Sequence, residues 1–288
     1  MGKNNFQALQ YAKHFLKLKA PYWYGCFSQR GSQQLLDEKR RQYHWQYPPE
    51  KWTEESFTSQ FGQRVFDCIG LAVKGYMFNK DNNFDSDPVY QSKYDYSADG
   101  FYDICTEKGP FDKMPDIPGL IVHKKGHVGI YVGKKNSKKI VIECKGHAYG
   151  TVSGSSTAWQ HWCKCPWWTY ISIRSWLTSL YFDILDRNPD ASGLDYWNDE
   201  LEEGSQTPTQ VIKFFLTSPE LANRNLSDEA FLAILYQVFF DRAPDRDGYN
   251  FWLKELKSGK SRPSVIDGFI GSNEWKDMSA YLEYIINA

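Results

Sequence analysis

The sequence has no apolar run approaching the ~18–20 residues that a membrane helix needs, so no membrane span and no membrane partner are expected. It has no zinc-type Cys-x-x-Cys pair. It also has no long run of consecutive Lys or Arg and no nucleic-acid motif, so no nucleic-acid partner is expected either. Its first residues, MGKNNFQALQYAKHF, lack the apolar stretch of a signal peptide. Without such a peptide, the six cysteines are expected as free thiols rather than a disulfide frame. His161, Cys163 and Cys165 lie close together but lack a fourth ligand at zinc-type spacing. No metal and no other cofactor is expected. Net charge is also nearly absent, at −1 over the whole chain.

What remains is a globular chain of 288 residues, 41% apolar and 24% charged. At ~100–200 residues per domain, two domains are the natural reading. The charge is unevenly spread. From Ile171 onward there are 11 Lys+Arg and 19 Asp+Glu, a balance of −8, which leaves +7 before it. Domains over 1–170 and 171–288 follow. A basic first domain favours an anionic partner, and an anionic bacterial wall polymer suits it. The 18 Phe, 19 Tyr and 11 Trp suit either recognition faces or aromatic-rich cores.

The second domain is a repeat. LYFDILDRNPDASGLDYWNDEL from Leu180 matches LYQVFFDRAPDRDGYNFWLKEL from Leu235, and VIKFFLTSPE later matches VIDGFIGSNE. Leu177, Leu180 and Ile184 fall on one helical face, as do Leu194, Trp197 and Leu201. Pro189 and Gly193 break the chain between those helices. Thr207 with Pro208, and Ser227 with Asp228 and Glu229, are helix starts. Asp186, Asn188 and Asp190 alternate as calcium ligands do. However, Ala191 stands where the EF-hand loop needs Gly, and Ala243 and Arg246 interrupt the second copy; a tight helix–helix turn is the better reading. The DRxPDxxGxxxW core of both copies resembles a helical repeat domain of unknown function found in bacterial secreted and surface proteins. This half has no Cys or His and offers no nucleophile beside a base.

Chemistry is expected in the first half. In Phe66-Asp67-Cys68-Ile69-Gly70-Leu71, Asp67 is placed to cap a helix. Cys68 then falls in the first turn, where the dipole and a cationic neighbour lower a thiol pKa. A buried helical cysteine would carry the same local sequence. Further on, HVGIYVG from His127 and IVIEC from Ile140 are strand-like, with the polar turn KKNSKK between them. Pairing residues whose numbers sum to 270 puts His127 opposite Glu143. Val128, Ile130 and Ile142 then share a core face, and His127, Gly129, Val141 and Glu143 share the face opposite the packed side. A nucleophilic Cys, a His and an orienting carboxylate need that arrangement. His14, His44, His123 and His161 are read as structural or surface residues.

FDCIGL, HVGIYVG and IVIECKG, in that order, resemble the NlpC-type papain-like cell-wall peptidases and related amidohydrolases. Pro21-Tyr22-Trp23-Tyr24-Gly25 is similar to their PYxxG element, and PDIPGLIVHKKGHVGIYVG looks most like phage endolysins of this superfamily. The resemblance covers roughly residues 6–170. It implies an α+β papain-like domain, an antiparallel sheet packed on helices, followed here by the all-α repeat. It implies Cys68 as nucleophile, His127 as general base and then acid, and Glu143 as orienting group. The family often has His at the third position, which makes His147 the reserve. Tyr22, Tyr24 and Asp67 are the implied substrate-binding residues, and the oxyanion donor is a backbone N–H, that of Cys68. The chain departs from compact members in the 42 residues between Gly25 and Cys68, which are read as a cleft wall or an irregular cover.

The implied activity is hydrolysis of a stem-peptide amide in peptidoglycan, at the bond between γ-linked D-Glu and the diamino acid. Cleavage of the muramoyl–L-Ala amide or a cross-bridge bond, acyl transfer to an amine, and a non-catalytic wall-binding protein stay open. The phage resemblance implies synthesis in the host cytoplasm and action at the bacterial wall. The repeat would be the wall-targeting module, or a site of oligomerisation.

Overall fold

A computed structural model describes residues 3–80, 83–155 and 157–287. The chain divides into two compact units, Gly2–Tyr170 and Ile171 onward. Among the described residues, no helix is long and apolar enough to cross a membrane.

The first unit is α+β. It begins with the helix Asn5–Lys17, whose cap Asn4 accepts a 2.8 Å hydrogen bond from the Gln7 N–H. Strands β1 (Phe27–Arg30) and β2 (Arg64–Phe66) form a small antiparallel pair. The main sheet consists of β3 (Lys108–Pro110), β4 (Ile121–Lys124), β5 (His127–Lys135), β6 (Lys138–Cys144), β7 (Thr151–Gly154) and β8 (His161–Cys163), in the order β3-β8-β4-β5-β6-β7, with antiparallel pairing throughout.

The β5–β6 hairpin is tighter than the sequence reading has it. Asn136 and Ser137 both take positive φ, 50° and 59°, as a two-residue hairpin turn requires. Lys135 therefore pairs with Lys138. A bulge at Val132 then shifts the register, so Ile130 pairs with Ile142 and Tyr131 with Val141. Residue numbers sum to 272 near the strand start, not 270. The even difference keeps every side chain on its expected face, but His127 and Glu143 are no longer directly opposite.

Val128, Ile130 and Ile142 pack into one core with Leu9, Ala12, Phe15, Leu71 and Ala72. The opposite face, which carries His127 and Glu143, is packed as well. Met114, Leu120, Val122, Tyr131, Val141 and Trp159 form a second, smaller core there. The segment 26–66 has a core of its own, in which Leu35, Leu36, Tyr47, Phe57 and Val65 pack with Trp23 and Cys26.

The second unit is helical, and its two copies repeat element by element. Ile173–Leu185 corresponds to Asp228–Phe240, Ala191–Glu202 to Arg246–Lys257, and Pro208–Leu216 to Arg262–Ile270. The DRxPD signature encodes the corner between the first two helices of each copy. Asp186 and Asp241 end one helix in the left-handed conformation, while Asp190 and Asp245 cap the next by accepting from Gly193 and Gly248. The intervening Arg187 and Arg242 fork onto Glu220 and Glu274. Asp186 and Asp190 are thus helix-boundary groups, in keeping with a turn rather than a calcium loop.

Candidate active site

The segment preceding Cys68 is tied down at each end. Tyr22 bridges to Phe66 as a parallel partner, and the Trp23 N–H donates to the Phe66 carbonyl at 2.8 Å. Helical turns then begin at Cys68 and run through a wide turn, Gly70–Lys74, to Gly75–Phe78. Asp67 is buried, and its carboxylate accepts from the Gly70 N–H at 2.6 Å and the Gly25 N–H at 3.0 Å. A side chain at position 70 would collide with the Cys26 carbonyl, so glycine is required there. The FDCIG string therefore places a cap, a thiol and a close backbone approach in one turn. With both oxygens accepting from backbone N–H groups, Asp67 holds the turn on which Cys68 sits.

Cys68 is 7% exposed. The backbone N–H groups of Val128, Ile69 and Cys68 itself are near enough to its sulfur to favour the thiolate. Val128 pairs with His123 in the β4–β5 ladder and lies outside the β5–β6 ladder, which starts at Ile130. The sulfur is thus near the Val128 amide, one residue from His127. The thiol is not acidified as expected. Burial, followed by the Asp67 carboxylate, pushes it up to about 12, against the pull of those amides. The two cations nearest in sequence are both engaged elsewhere, Arg64 by Asp87 and Lys74 by Asp95.

His127 opens β5, and its Nε2 lies 2.7 Å from Glu143 Oε2. Extending the register places Glu143 opposite Gly129, so the carboxylate reaches His127 on a diagonal. Position 129 has no room for more. A Cβ there would stand 2.6 Å from Val141 Cγ1 and 3.2 Å from the Trp159 ring. Trp159 stacks on the His127 ring at 5.5 Å and 13°. Burial raises the Glu143 pKa, but the hydrogen bond and charge of His127, with Lys124 and Lys145, outweigh it and hold the carboxyl below its usual value. With Nε2 committed, Nδ1 is the ring atom left for proton exchange.

His147 is elsewhere. Its ring is enclosed by Tyr22, Tyr47, Trp52 and Phe57 at centroid distances of 4.9–5.5 Å. It faces the Tyr22 and Gln46 carbonyls without reaching full hydrogen-bond geometry. Burial lowers its pKa to about 4. Of the two third-residue candidates, only Glu143 touches His127 through a hydrogen bond.

Tyr22 and Tyr24 both lie close enough to Cys68 and Asp67 to feel their charge, and burial raises both phenols. The remaining histidines have other partners: His123 pairs with Asp99 at 2.8 Å and stacks on Tyr102, and His14 faces Asp85. Among the described residues, no three His, Cys, Asp or Glu side chains are grouped as a metal site requires.

Two contributors escaped the sequence reading. Trp159, in the string Ala158-Trp159-Gln160-His161, has no local mark of its role. Cys144 follows Glu143 directly, and its thiol donates to the Phe66 carbonyl at 3.4 Å, joining the end of β6 to the strand that delivers Cys68.

The family described as a domain of unknown function (DUF4214) matches residues 169–225 and 212–279. The match fits the duplicated helical unit. No curated protein matches the chain.

Proposed function

We propose that this protein is an endolysin-like peptidoglycan hydrolase with an NlpC-type, papain-like first domain over 1–170, which cleaves a stem-peptide amide through a cysteine thiol. The observation that carries this reading is the hydrogen-bonded pair of His127 on β5 and Glu143 on β6, with the Cys68 sulfur near the Val128 amide that follows His127.

In this mechanism, Cys68 gives its proton to His127 Nδ1 as the sulfur attacks the amide carbonyl. The Glu143 carboxylate stabilises the resulting imidazolium and fixes the ring. Backbone N–H groups at the first helical turn, that of Cys68 first among them, stabilise the oxyanion. His127 passes the proton to the leaving amine, and water then hydrolyses the thioester with His127 as base. A thiol pushed up to about 12 needs that base, because little thiolate exists at neutral pH without it. Tyr22 and Tyr24, both close enough to Cys68 to feel its charge, serve as substrate contacts in this reading.

The preferred bond is γ-D-Glu–diamino acid; the muramoyl–L-Ala amide is the alternative for the same site. Purified peptidoglycan incubated with wild type and with Cys68→Ala tests the chemistry. Wild type alone should release peptides, whose masses identify the bond. Equal release by both proteins would remove the thiol from the mechanism.

The second unit, 171–288, is assigned wall targeting, because it holds no Cys or His and a tethered binder raises the local substrate concentration. The full chain should sediment with purified walls and residues 1–170 should not. Equal sedimentation would move the binding to the first unit.

A further inference from the structure

The segment 26–66 is joined to both sides of the candidate site. On the Cys68 side, the Tyr47 hydroxyl donates to the Tyr24 carbonyl at 2.9 Å. On the Glu143 side, Tyr47, Trp52 and Phe57 hold the His147 ring, four residues past Glu143. Tyr47 and Phe57 are buried at 2% and 1%, so this segment is anchored next to the site.

From that anchor a line of rings runs outward. Tyr24, which senses the Cys68 and Asp67 charges, meets Tyr43 edge-to-face at 5.1 Å; Tyr43 meets Trp45 at 5.8 Å and 89°. His44 meets the same indole at 5.2 Å and 88°. Trp45 sits on the short turn His44–Gln46 and is 59% exposed. Both neighbouring rings stand perpendicular to the indole, so they fix its orientation without stacking on it. A single exposed Trp is ordinary in itself; one aligned by two rings and continuous with a candidate site is a contact surface.

We propose that Trp45 and Tyr43 form a saccharide subsite, which holds a pyranose ring of the glycan strand while the attached peptide reaches Cys68. This rests on the reading of the site as a peptidoglycan hydrolase. A sugar ring presents a C–H face to a flat indole and its hydroxyls to the rim, where the Tyr43 phenol stands. Two ring steps of 5.1 and 5.8 Å lead from Tyr24 to Trp45, and the Gly25 N–H next to Tyr24 donates to Asp67 at 3.0 Å, so the row of rings starts at the turn that carries Cys68. The subsite therefore makes this hydrolase prefer stem peptides still attached to glycan.

The test compares kcat/KM on a disaccharide-linked stem peptide and on the same peptide without sugar, for wild type, Trp45→Ala and Cys68→Ala. Wild type should prefer the sugar-bearing substrate. Trp45→Ala should lose that preference by about 10-fold, the size of one aromatic contact of ~1.4 kcal/mol. Trp45 is exposed, and an unchanged melting temperature would show that the variant folds. Equal loss on both substrates, or an unchanged preference, overturns the subsite while leaving the thiol mechanism standing. Cleavage by Cys68→Ala, or no cleavage by wild type, overturns the reading of the site and the subsite with it.

Discussion

Glu143 hydrogen-bonds His127 at 2.7 Å on a diagonal across the place where Gly129 has no side chain. The pair depends on that gap, because the hairpin register offsets the two residues. Gly129→Ala should therefore do more than crowd the sheet. Overpacking against Val141 and Trp159 should cost about 1–3 kcal/mol of stability, read as a lower denaturant midpoint. The His127 ring should lose its fixed position, and peptide release should fall by more than the loss of folded protein explains. A variant with full stability and full activity would show that the gap is not needed.

The third member of the site is separable by mutation. Glu143→Ala should lower kcat by roughly 10²–10⁴-fold, the range seen when a histidine loses its base function or its orienting group. His147→Phe keeps a ring in the aromatic enclosure and should leave kcat within a few-fold of wild type. The reverse ranking would make His147 the orienting residue.

The thiol makes a prediction about pH. Only thiolate reacts with iodoacetamide, and the Cys68 thiol is pushed up to about 12. Its alkylation, followed on the Cys68 peptide by mass, should rise about tenfold per pH unit from pH 7 to 10 without a plateau. A plateau beginning near neutral pH would show a preformed thiolate–imidazolium pair instead.

His147 couples folding to acidity. Its pKa is lowered to about 4 from an ordinary 6.5, so the unfolded chain binds its proton first as pH falls. Stability from this group is complete above about pH 6.5 and is lost progressively down to about pH 4, where both states are protonated. The loss is at most about 3 kcal/mol for a shift of this size. The denaturant midpoint should fall across that window, and the fall should shrink in His147→Phe. An equal fall in both proteins would assign it to other groups.

The sequence was most informative where structure is encoded locally. The DRxPD corner is written in its own caps, since Asp186, Asp190 and Gly193 need only their neighbours. The face assignment of the hairpin was legible because a strand alternates with period two, whatever its exact register. The register itself was not, because it depends on the positive-φ pair Asn136-Ser137 and on a bulge at Val132. The thiol pKa was misjudged for a related reason: helix position is local, but burial beside Asp67 depends on packing from distant segments. The enclosure of His147 by residues 47–57 has no trace in the local sequence of either partner.

The most direct test of the central claim, that Cys68 and His127 act as one unit, is a double-mutant comparison of peptide release from purified peptidoglycan. Residues that share a single step are strongly non-additive. Cys68→Ala and His127→Ala should each remove nearly all activity, roughly 10⁴-fold or more, and the double variant should be no slower than either single one. Losses that multiply in the double variant, or activity that survives Cys68→Ala, would contradict the account.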